Sequence, residues 1–98
     1  MEKKSPHCKL TIIKALVAKG RMRTTFSARL GAVELGLDEI GIRDVVLGLV
    51  STDFYKSMTT HADHSIWQDV YRPATTDGSV YLKLTVIDDV LVVSFKEL

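Results

Sequence analysis

A phenol and an ammonium group are predicted to lie side by side near the end of the chain, where Tyr81 faces Lys96 across a β-hairpin. Residues 80–87 and 90–96 both alternate between inward and outward side chains, which is typical of strands with one buried face. The two-residue link 88–89 is the shortest hairpin turn. Directly opposed side chains lie about 4.5 to 5.5 Å apart at Cβ. Such a pair can transfer a proton and stabilise negative charge, so it marks a candidate reaction site.

The same register divides the hairpin into a core face and a solvent-facing side. The core face is predicted to carry three opposed apolar pairs, which are Leu82 with Phe95, Leu84 with Val93, and Val86 with Leu91. The opposite side is predicted to carry Tyr81 with Lys96, Lys83 with Ser94, Thr85 with Val92, and Ile87 with Val90. The candidate reaction site is therefore expected on the solvent side.

Basic, amide and phenolic side chains on the predicted strands complete this site: Lys56, Gln68, Arg72, Tyr81, Lys83 and Lys96. Gln68 shares a face with Tyr81 if the turn before the hairpin has an even number of residues, and the sequence leaves that register open. Such a surface could bind a nucleic-acid backbone and act on it. The alternative is that these side chains only solvate the open side of an antiparallel sheet.

Metal chemistry has little support in the sequence. The only cluster with ligand-type residues is His61, Asp63 and His64, which lies in a predicted loop without helical spacing or a further ligand nearby. There is also no phosphate-binding glycine loop and no nucleophile elbow. We therefore expect no metal site and no cofactor.

Three helices are predicted to precede the strands, each from its own start and stop signals. Ser5 and Pro6 favour the start of the first helix, and Gly20 ends it. Thr24 and Thr25 are predicted to cap the second helix, and Asp38 to open the third. Apolar residues at helical spacing give the first helix one buried stripe.

The second half of the chain changes to strand periodicity. Short strands are predicted at 54–58 and 66–72, and Pro73 ends the second of these before the hairpin. The predicted fold class is therefore α+β, with N-terminal helices packed on a small antiparallel sheet. At 98 residues, the chain is expected to form a single domain, 1–98.

Composition is that of an ordinary soluble domain, with 46% apolar and 26% charged residues. The absence of a long apolar run, of a signal-peptide segment and of any cysteine besides Cys8 predicts a cytoplasmic protein that does not enter a membrane. The net charge of +1 conceals a basic N-terminal region, in which Glu2 is the only acidic residue before position 31. This asymmetry favours a phosphate-binding face, or alternatively a solvated helix surface.

Four uninterrupted segments resemble the motility quorum-sensing regulator toxins, which are messenger-RNA interferases of bacterial type II toxin–antitoxin pairs within the RelE-like superfamily. These segments are DFYKSMTT at 53–60, DHSIWQDVYRP at 63–73, VYLK at 80–83 and VSFK at 93–96. The chain length, the opening residues 1–3 and the helical segments 23–25 and 34–38 are also similar to this family, so the resemblance spans the whole chain.

The resemblance implies a RelE-like two-layer fold and an endoribonuclease that cuts messenger RNA near GC-containing triplets. It places the family's active-site residues on Lys56, Gln68, Tyr81 and Lys96. It also implies neutralisation by an antitoxin with a zinc-binding N-terminal part and a helix-turn-helix C-terminal part. Any zinc would then belong to the partner, and operator DNA would be bound only through the complex.

Metal-free RNA cleavage suits this set of side chains. Lys56 and Lys96 are expected to stabilise charge at the phosphate, Tyr81 to transfer a proton, and Gln68 to orient the phosphate or a base. Arg72 and Lys83 would bind the RNA backbone, while Trp67 or Tyr71 could stack on a base.

Two non-enzymatic alternatives remain open from the sequence. Residues 24–49 could form a helix-turn-helix that presents Arg29 and Arg43 to DNA, although the third helix is acidic where a recognition helix is usually basic. The chain could instead be an interaction module that binds a partner along a sheet edge. Cleavage of RNA by the isolated chain separates both from the nuclease.

Overall fold

A computed structural model describes residues 1–98 as an α+β fold, which confirms the predicted class. The helices are α1 (Leu10–Ala18), α2 (Phe26–Glu34) and α3 (Glu39–Leu47), with a single 3-10 turn at Ser51–Asp53. The strands are β1 (Glu2–Lys3), β2 (Met22–Thr24), β3 (Phe54–Thr59), β4 (Trp67–Tyr71), β5 (Ala74–Thr75), β6 (Gly78–Ile87) and β7 (Asp89–Glu97). No helix is both long and apolar enough to cross a membrane.

The main sheet has the strand order β1-β3-β4-β6-β7-β2, with β5 paired to β6 at one side. Every pairing is antiparallel except that of β2 with β7, which is parallel. The helices cover one face of this sheet, and the core between the two layers contains Ile13, Val17, Ala28, Ala32, Ile42, Val46, Leu49, Tyr71, Val80, Leu82, Leu84, Val90, Val92 and Phe95. The other face is left without a covering layer of helices.

Local capping signals predicted two of the three helix starts. The hydroxyl of Thr25 accepts a hydrogen bond from the Ala28 N–H at 3.1 Å, and the Asp38 carboxylate accepts one from the Gly41 N–H at 2.9 Å. The prediction for α1 was wrong, because this helix begins at Leu10 rather than after Ser5 and Pro6. Residues 1–8 instead contribute strand β1 and a loop that is tied to the sheet.

A buried carboxylate explains this departure. Asp69, only 2% exposed, accepts hydrogen bonds from the N–H groups of His7 and Cys8, each at 3.0 Å. These two backbone donors are thereby held beside β4, and the chain turns into α1 only after them. A local helix-start signal was outweighed by a contact across 61 and 62 residues of sequence.

The β6–β7 hairpin differs from the predicted register near its turn. Ile87 pairs with Asp89, and Asp88 alone forms the tip with a left-handed φ of 64°. The shorter turn moves Val90 and Val92 into the core, where Leu91 and Val93 had been predicted.

A β-bulge then restores the predicted pairing in the rest of the hairpin. Leu84 pairs with Val92 and Lys83 with Ser94, so Val93 is an extra residue on β7. Tyr81 consequently faces Lys96, as predicted.

Candidate active site

The strand pairings define one solvent-side surface of the sheet, which we call the open face. A row of paired residues crosses four neighbouring strands: Lys56 of β3, Val70 of β4, Lys83 of β6 and Ser94 of β7. Directly paired residues point to the same side of a sheet. The next positions along β4 and β6 are the core residues Tyr71 and Leu82, so the row lies on the side away from the helices.

Alternation along each strand adds the remaining candidates to the open face. Gln68 lies two residues before Val70, and Tyr81 lies two residues before Lys83. Lys96 is directly opposite Tyr81. The structure therefore places Lys56, Gln68, Tyr81 and Lys96 on one surface and fixes the register of Gln68 that the sequence left open. With neighbouring strands about 4.8 Å apart, β3 to β7 span about 15 Å.

Lys56 and Lys96 have different surroundings on this face. The Lys96 ammonium nitrogen lies 5.2 Å from the ring centroid of Tyr81, within range of a cation–π interaction. The Lys56 nitrogen lies 2.6 Å from the Glu2 carboxylate. The hydrogen bond that the Lys56 ammonium donates to Glu2 raises the pKa of Lys56, and so does the charge of Glu2, with smaller contributions from the charges of Tyr55 and Tyr81. Lys56 is therefore a protonated, partnered cation in the free protein.

Tyr55 is an aromatic residue of this region that was not among the residues predicted from the sequence. It falls at a bulge of β3 between Phe54 and Lys56, which turns its ring toward the cations of the open face. The Arg72 guanidinium lies 3.7 Å from the ring centroid, and the nitrogens of Lys4 and Lys56 lie 5.0 and 5.4 Å from it. Only its position beside Lys56 in the sequence could have drawn attention to it.

Arg72 and Lys83, the predicted RNA-binding residues, also lie in this region. Arg72 follows β4 and rests on the Tyr55 ring, whereas Lys83 stands in the row that begins at Lys56. Val70, which lies between Lys56 and Lys83 in that row, is fully buried although it is not part of the main core. Its burial indicates that the long side chains of the open face pack closely over the centre of the sheet.

The two residues proposed for base stacking differ in accessibility. Tyr71 is completely buried and packs edge-on against Phe54, so the expectation that it stacks on a base was wrong. Trp67 lies on the side of the sheet opposite Gln68, because neighbouring residues of a strand point to opposite faces. Its ring stacks on His7 with centroids 5.5 Å apart, and the Lys3 nitrogen lies 4.1 Å above it.

The candidate site is an open surface rather than a cleft. The largest cleft, about 490 Å³, lies between α3 and the β5 region, and its lining contains none of the six candidate side chains. No three His, Cys, Asp or Glu side chains, including those of His61, Asp63 and His64, lie where they could together hold a metal ion. Two ammonium groups, an amide and a phenol on an extended surface are suited to hold an anionic backbone and transfer a proton to or from it. These features define a small α+β domain with an open sheet face that carries several cations.

Comparison with known proteins gives the family. Residues 5–97 match the family described as "Motility quorum-sensing regulator, toxin of MqsA", and the chain belongs to this family. It is also similar to the mRNA interferase toxin MqsR of Escherichia coli (strain K12), with 62% identity over 97 residues, covering 99% of each chain. The resemblance seen in the sequence is thereby confirmed over nearly the whole chain.

Proposed function

We propose that the chain is the toxin of a type II toxin–antitoxin system, a metal-independent endoribonuclease that cleaves messenger RNA at GC-containing triplets and so arrests translation and growth. The observation that carries this proposal is the common face shared by Lys56, Gln68, Tyr81 and Lys96. The name of the Escherichia coli relative, an mRNA interferase toxin, supports the same activity.

The reaction would use the RNA's own 2′-hydroxyl as the nucleophile. The hydroxyl loses its proton and its oxygen attacks the adjacent phosphorus, while the bond from phosphorus to the 5′-oxygen breaks. The departing oxygen takes up a proton. The products are a 2′,3′-cyclic phosphate on one fragment and a 5′-hydroxyl on the other, so atoms and charge balance without water, metal or cofactor.

The open face supplies the groups that this reaction needs. Lys56 and Lys96 would stabilise the charge that develops on the phosphate oxygens, because fixed positive groups favour a transition state with added negative charge. Tyr81 would be the proton-transfer group. Gln68 would orient the phosphate or a flanking base through its amide. Arg72 and Lys83 would bind the backbone on either side.

The experiment that tests the proposal uses the purified chain and a messenger RNA in excess chelator. Fragments should form, and their new ends should carry 5′-hydroxyls that polynucleotide kinase labels without prior phosphatase treatment. Complete dependence on added divalent metal, or fragments with 5′-phosphates, would overturn the mechanism. Primer extension across the fragments would locate the cuts relative to GC-containing triplets.

The partner is proposed to be an antitoxin with a zinc-binding N-terminal part and a helix-turn-helix C-terminal part. The family description, "toxin of MqsA", supports a dedicated partner. In this proposal operator DNA is bound only through the complex, and the protein is cytoplasmic. Co-expression should yield a stable complex in which zinc co-purifies with the partner.

The alternative of a DNA-binding helix-turn-helix has weaker support. The Arg29 guanidinium donates hydrogen bonds to the carbonyl and hydroxyl oxygens of Thr24, at 2.8 and 3.2 Å, so it is engaged with its own chain. Arg43 lies 3.9 Å from the carboxylate of Asp44 on the same helix. Arg29 is therefore engaged within its own chain and Arg43 lies beside an acidic residue, which favours the nuclease.

A further inference from the structure

The ammonium group of Lys56 already has an anionic partner in the free protein. Its nitrogen lies 2.6 Å from the Oε1 of Glu2, the shortest of the ion pairs in the structure. The side chain of Lys56 is 19% exposed, whereas that of Glu2 is 57% exposed. The lysine is therefore largely fixed within the sheet surface, and the carboxylate lies above it on the solvent side.

The N-terminal segment delivers Glu2 to this place through backbone contacts. Strand β1 pairs with β3, which sets Glu2 opposite Met58 on the open face, two residues along β3 from Lys56. The N-terminal amine of Met1 donates to the Thr59 hydroxyl at 3.0 Å, and the Thr59 N–H donates to the Met1 carbonyl at 3.0 Å. These contacts position the backbone of Glu2 beside β3, so the ion pair with Lys56 does not depend on side-chain conformation alone.

The far end of the same segment is anchored independently. Asp69 accepts the N–H groups of His7 and Cys8 on the core side of the sheet. The segment therefore passes around the β3 edge of the sheet. Hydrogen bonds to β3 fix its beginning, and hydrogen bonds to Asp69 fix its end. Glu2 can swing about its own side-chain bonds without release of the segment, because the backbone bonds on either side remain.

A carboxylate at this position has one main electrostatic consequence. An ordinary lysine, with a pKa of about 10.4, is already protonated at neutral pH. A further rise in the pKa of Lys56 caused by Glu2 adds no charge there. What the contact does is neutralise the ammonium and occupy the position that a phosphate oxygen would take, since carboxylate and phosphate bind the same cations.

We propose that Glu2 is an internal competitor for the phosphate subsite at Lys56, and that RNA binds by displacing it. This inference rests on the proposed function and deepens it, because it assigns to Glu2 control over which anions engage the site. A strand that also meets Gln68, Tyr81 and Lys96 displaces the carboxylate, whereas an isolated anion does so poorly. Glu2 thereby limits non-specific binding of polyanions.

The test compares Glu2→Gln with Glu34→Gln. Both remove one negative charge, but Glu34 ends α2 in the helical layer and has no ion pair. The probe is an RNA oligonucleotide with 2′-deoxy substitutions that prevent cleavage, and its dissociation constant is measured by fluorescence anisotropy. For Glu2→Gln we expect binding that is about two- to fivefold tighter, the range of a partly exposed ion pair. Glu34→Gln should bind much as the wild type does.

A second variant shows whether a change in RNA binding comes from the lost ion pair or from a local folding defect. Glu2→Asp keeps the charge but withdraws it from Lys56 by one methylene group, and it should also bind the probe more tightly than the wild type. Single-turnover cleavage by Glu2→Gln should be no slower than that of the wild type when RNA is limiting. Free phosphate should inhibit Glu2→Gln more strongly than the wild type, because its Lys56 subsite is no longer occupied.

The possible failures are distinguishable. If the wild type binds and cleaves RNA but both Glu2 variants bind no more tightly, the competitor role is wrong. If Glu2→Gln cleaves more slowly with unchanged binding, Glu2 instead positions Lys56, which also overturns the inference. If the wild type neither binds nor cleaves RNA, the proposed function fails, and the inference fails with it.

Discussion

Tyr81 and Lys96 face each other across β6 and β7, with the lysine nitrogen 5.2 Å from the centroid of the tyrosine ring. A cation over an aromatic ring at an exposed site is worth about 0.5 to 1 kcal/mol. This contact depends on the ring and not on its hydroxyl. The ring's structural role and the hydroxyl's chemical role can therefore be separated by substitution.

Tyr81→Phe should remove the proton-transfer group while leaving the ring against Lys96. We expect the single-turnover rate of RNA cleavage to fall about 100-fold or more, which is the usual contribution of a general acid or base. Binding of an uncleavable RNA should change less than about twofold, because the cations remain. The rate and the dissociation constant are measured on the same oligonucleotide. A cleavage rate within about threefold of the wild type would remove Tyr81 from the chemistry.

Asp69→Ala should destabilise the fold through the N-terminal segment. The buried carboxylate accepts two backbone N–H groups, from His7 and Cys8, and its loss leaves both donors without a partner. Because each orphaned donor costs about 1 to 3 kcal/mol, we expect the free energy of unfolding to fall by about 3 kcal/mol. Urea denaturation measures this. The exposed Asp44→Ala on α3 is the control and should change stability by less than about 0.5 kcal/mol.

Gly31→Ala should test how closely α2 lies on β7. A Cβ at Gly31 would lie 1.8 Å from the carbonyl oxygen of Phe95, so the helix must shift to admit it. We expect a loss of about 3 kcal/mol in the free energy of unfolding, at the upper end of overpacking effects. Gly48→Ala is the matched change, because its nearest neighbour would be 3.3 Å away, and it should cost less than about 1 kcal/mol. Equal stabilities would contradict this close contact.

Tyr71 should make the stability depend on alkaline pH. Burial, followed by the charges of Asp69 and Cys8, raises the pKa of Tyr71 to about 12, against about 10 in an unfolded chain. Between these values the unfolded state loses its phenolic proton first, so stability is complete below about pH 10 and falls as the pH rises toward 12. Two pKa units correspond to about 2.7 kcal/mol.

Tyr71→Phe is the control for this pH dependence. The Tyr71 hydroxyl is buried and has no hydrogen-bond partner, so its removal should not lower stability at pH 7. The variant should also lose less stability than the wild type between pH 10 and 12 in urea denaturation. Identical pH profiles would show that the phenol is not the group responsible.

The sequence predicted those features that local signals determine. Thr25 and Asp38 cap their helices because a cap needs only the residues of the following turn. The Tyr81–Lys96 pairing was also confirmed, although two deviations nearer the turn were missed. The turn is one residue shorter than predicted and the bulge at Val93 adds one residue to β7, so the two changes cancel before Tyr81 is reached.

Features that depend on distant contacts were not predicted. The pairing of Glu2 with Lys56 joins residues 54 positions apart, and it exists because β1 adds to the edge of β3. The exposure of Tyr55 to the cations depends on a bulge that no alternation pattern reveals. Gln68 and Tyr81 share a face because of the register between β4 and β6. The sequence of the connecting loop did not predict that register.

The most direct test of the open face as the catalytic surface is single-turnover cleavage of a GC-containing RNA in excess chelator by matched lysine variants. Lys56→Met and Lys96→Met remove cations from the open face, whereas Lys14→Met and Lys19→Met remove the same charge from α1 and the residue that follows it. We expect each variant of the first pair to slow cleavage about 100-fold or more and the second pair to stay within about threefold of the wild type. Equal losses in both pairs, or full activity without Lys56 and Lys96, would contradict it.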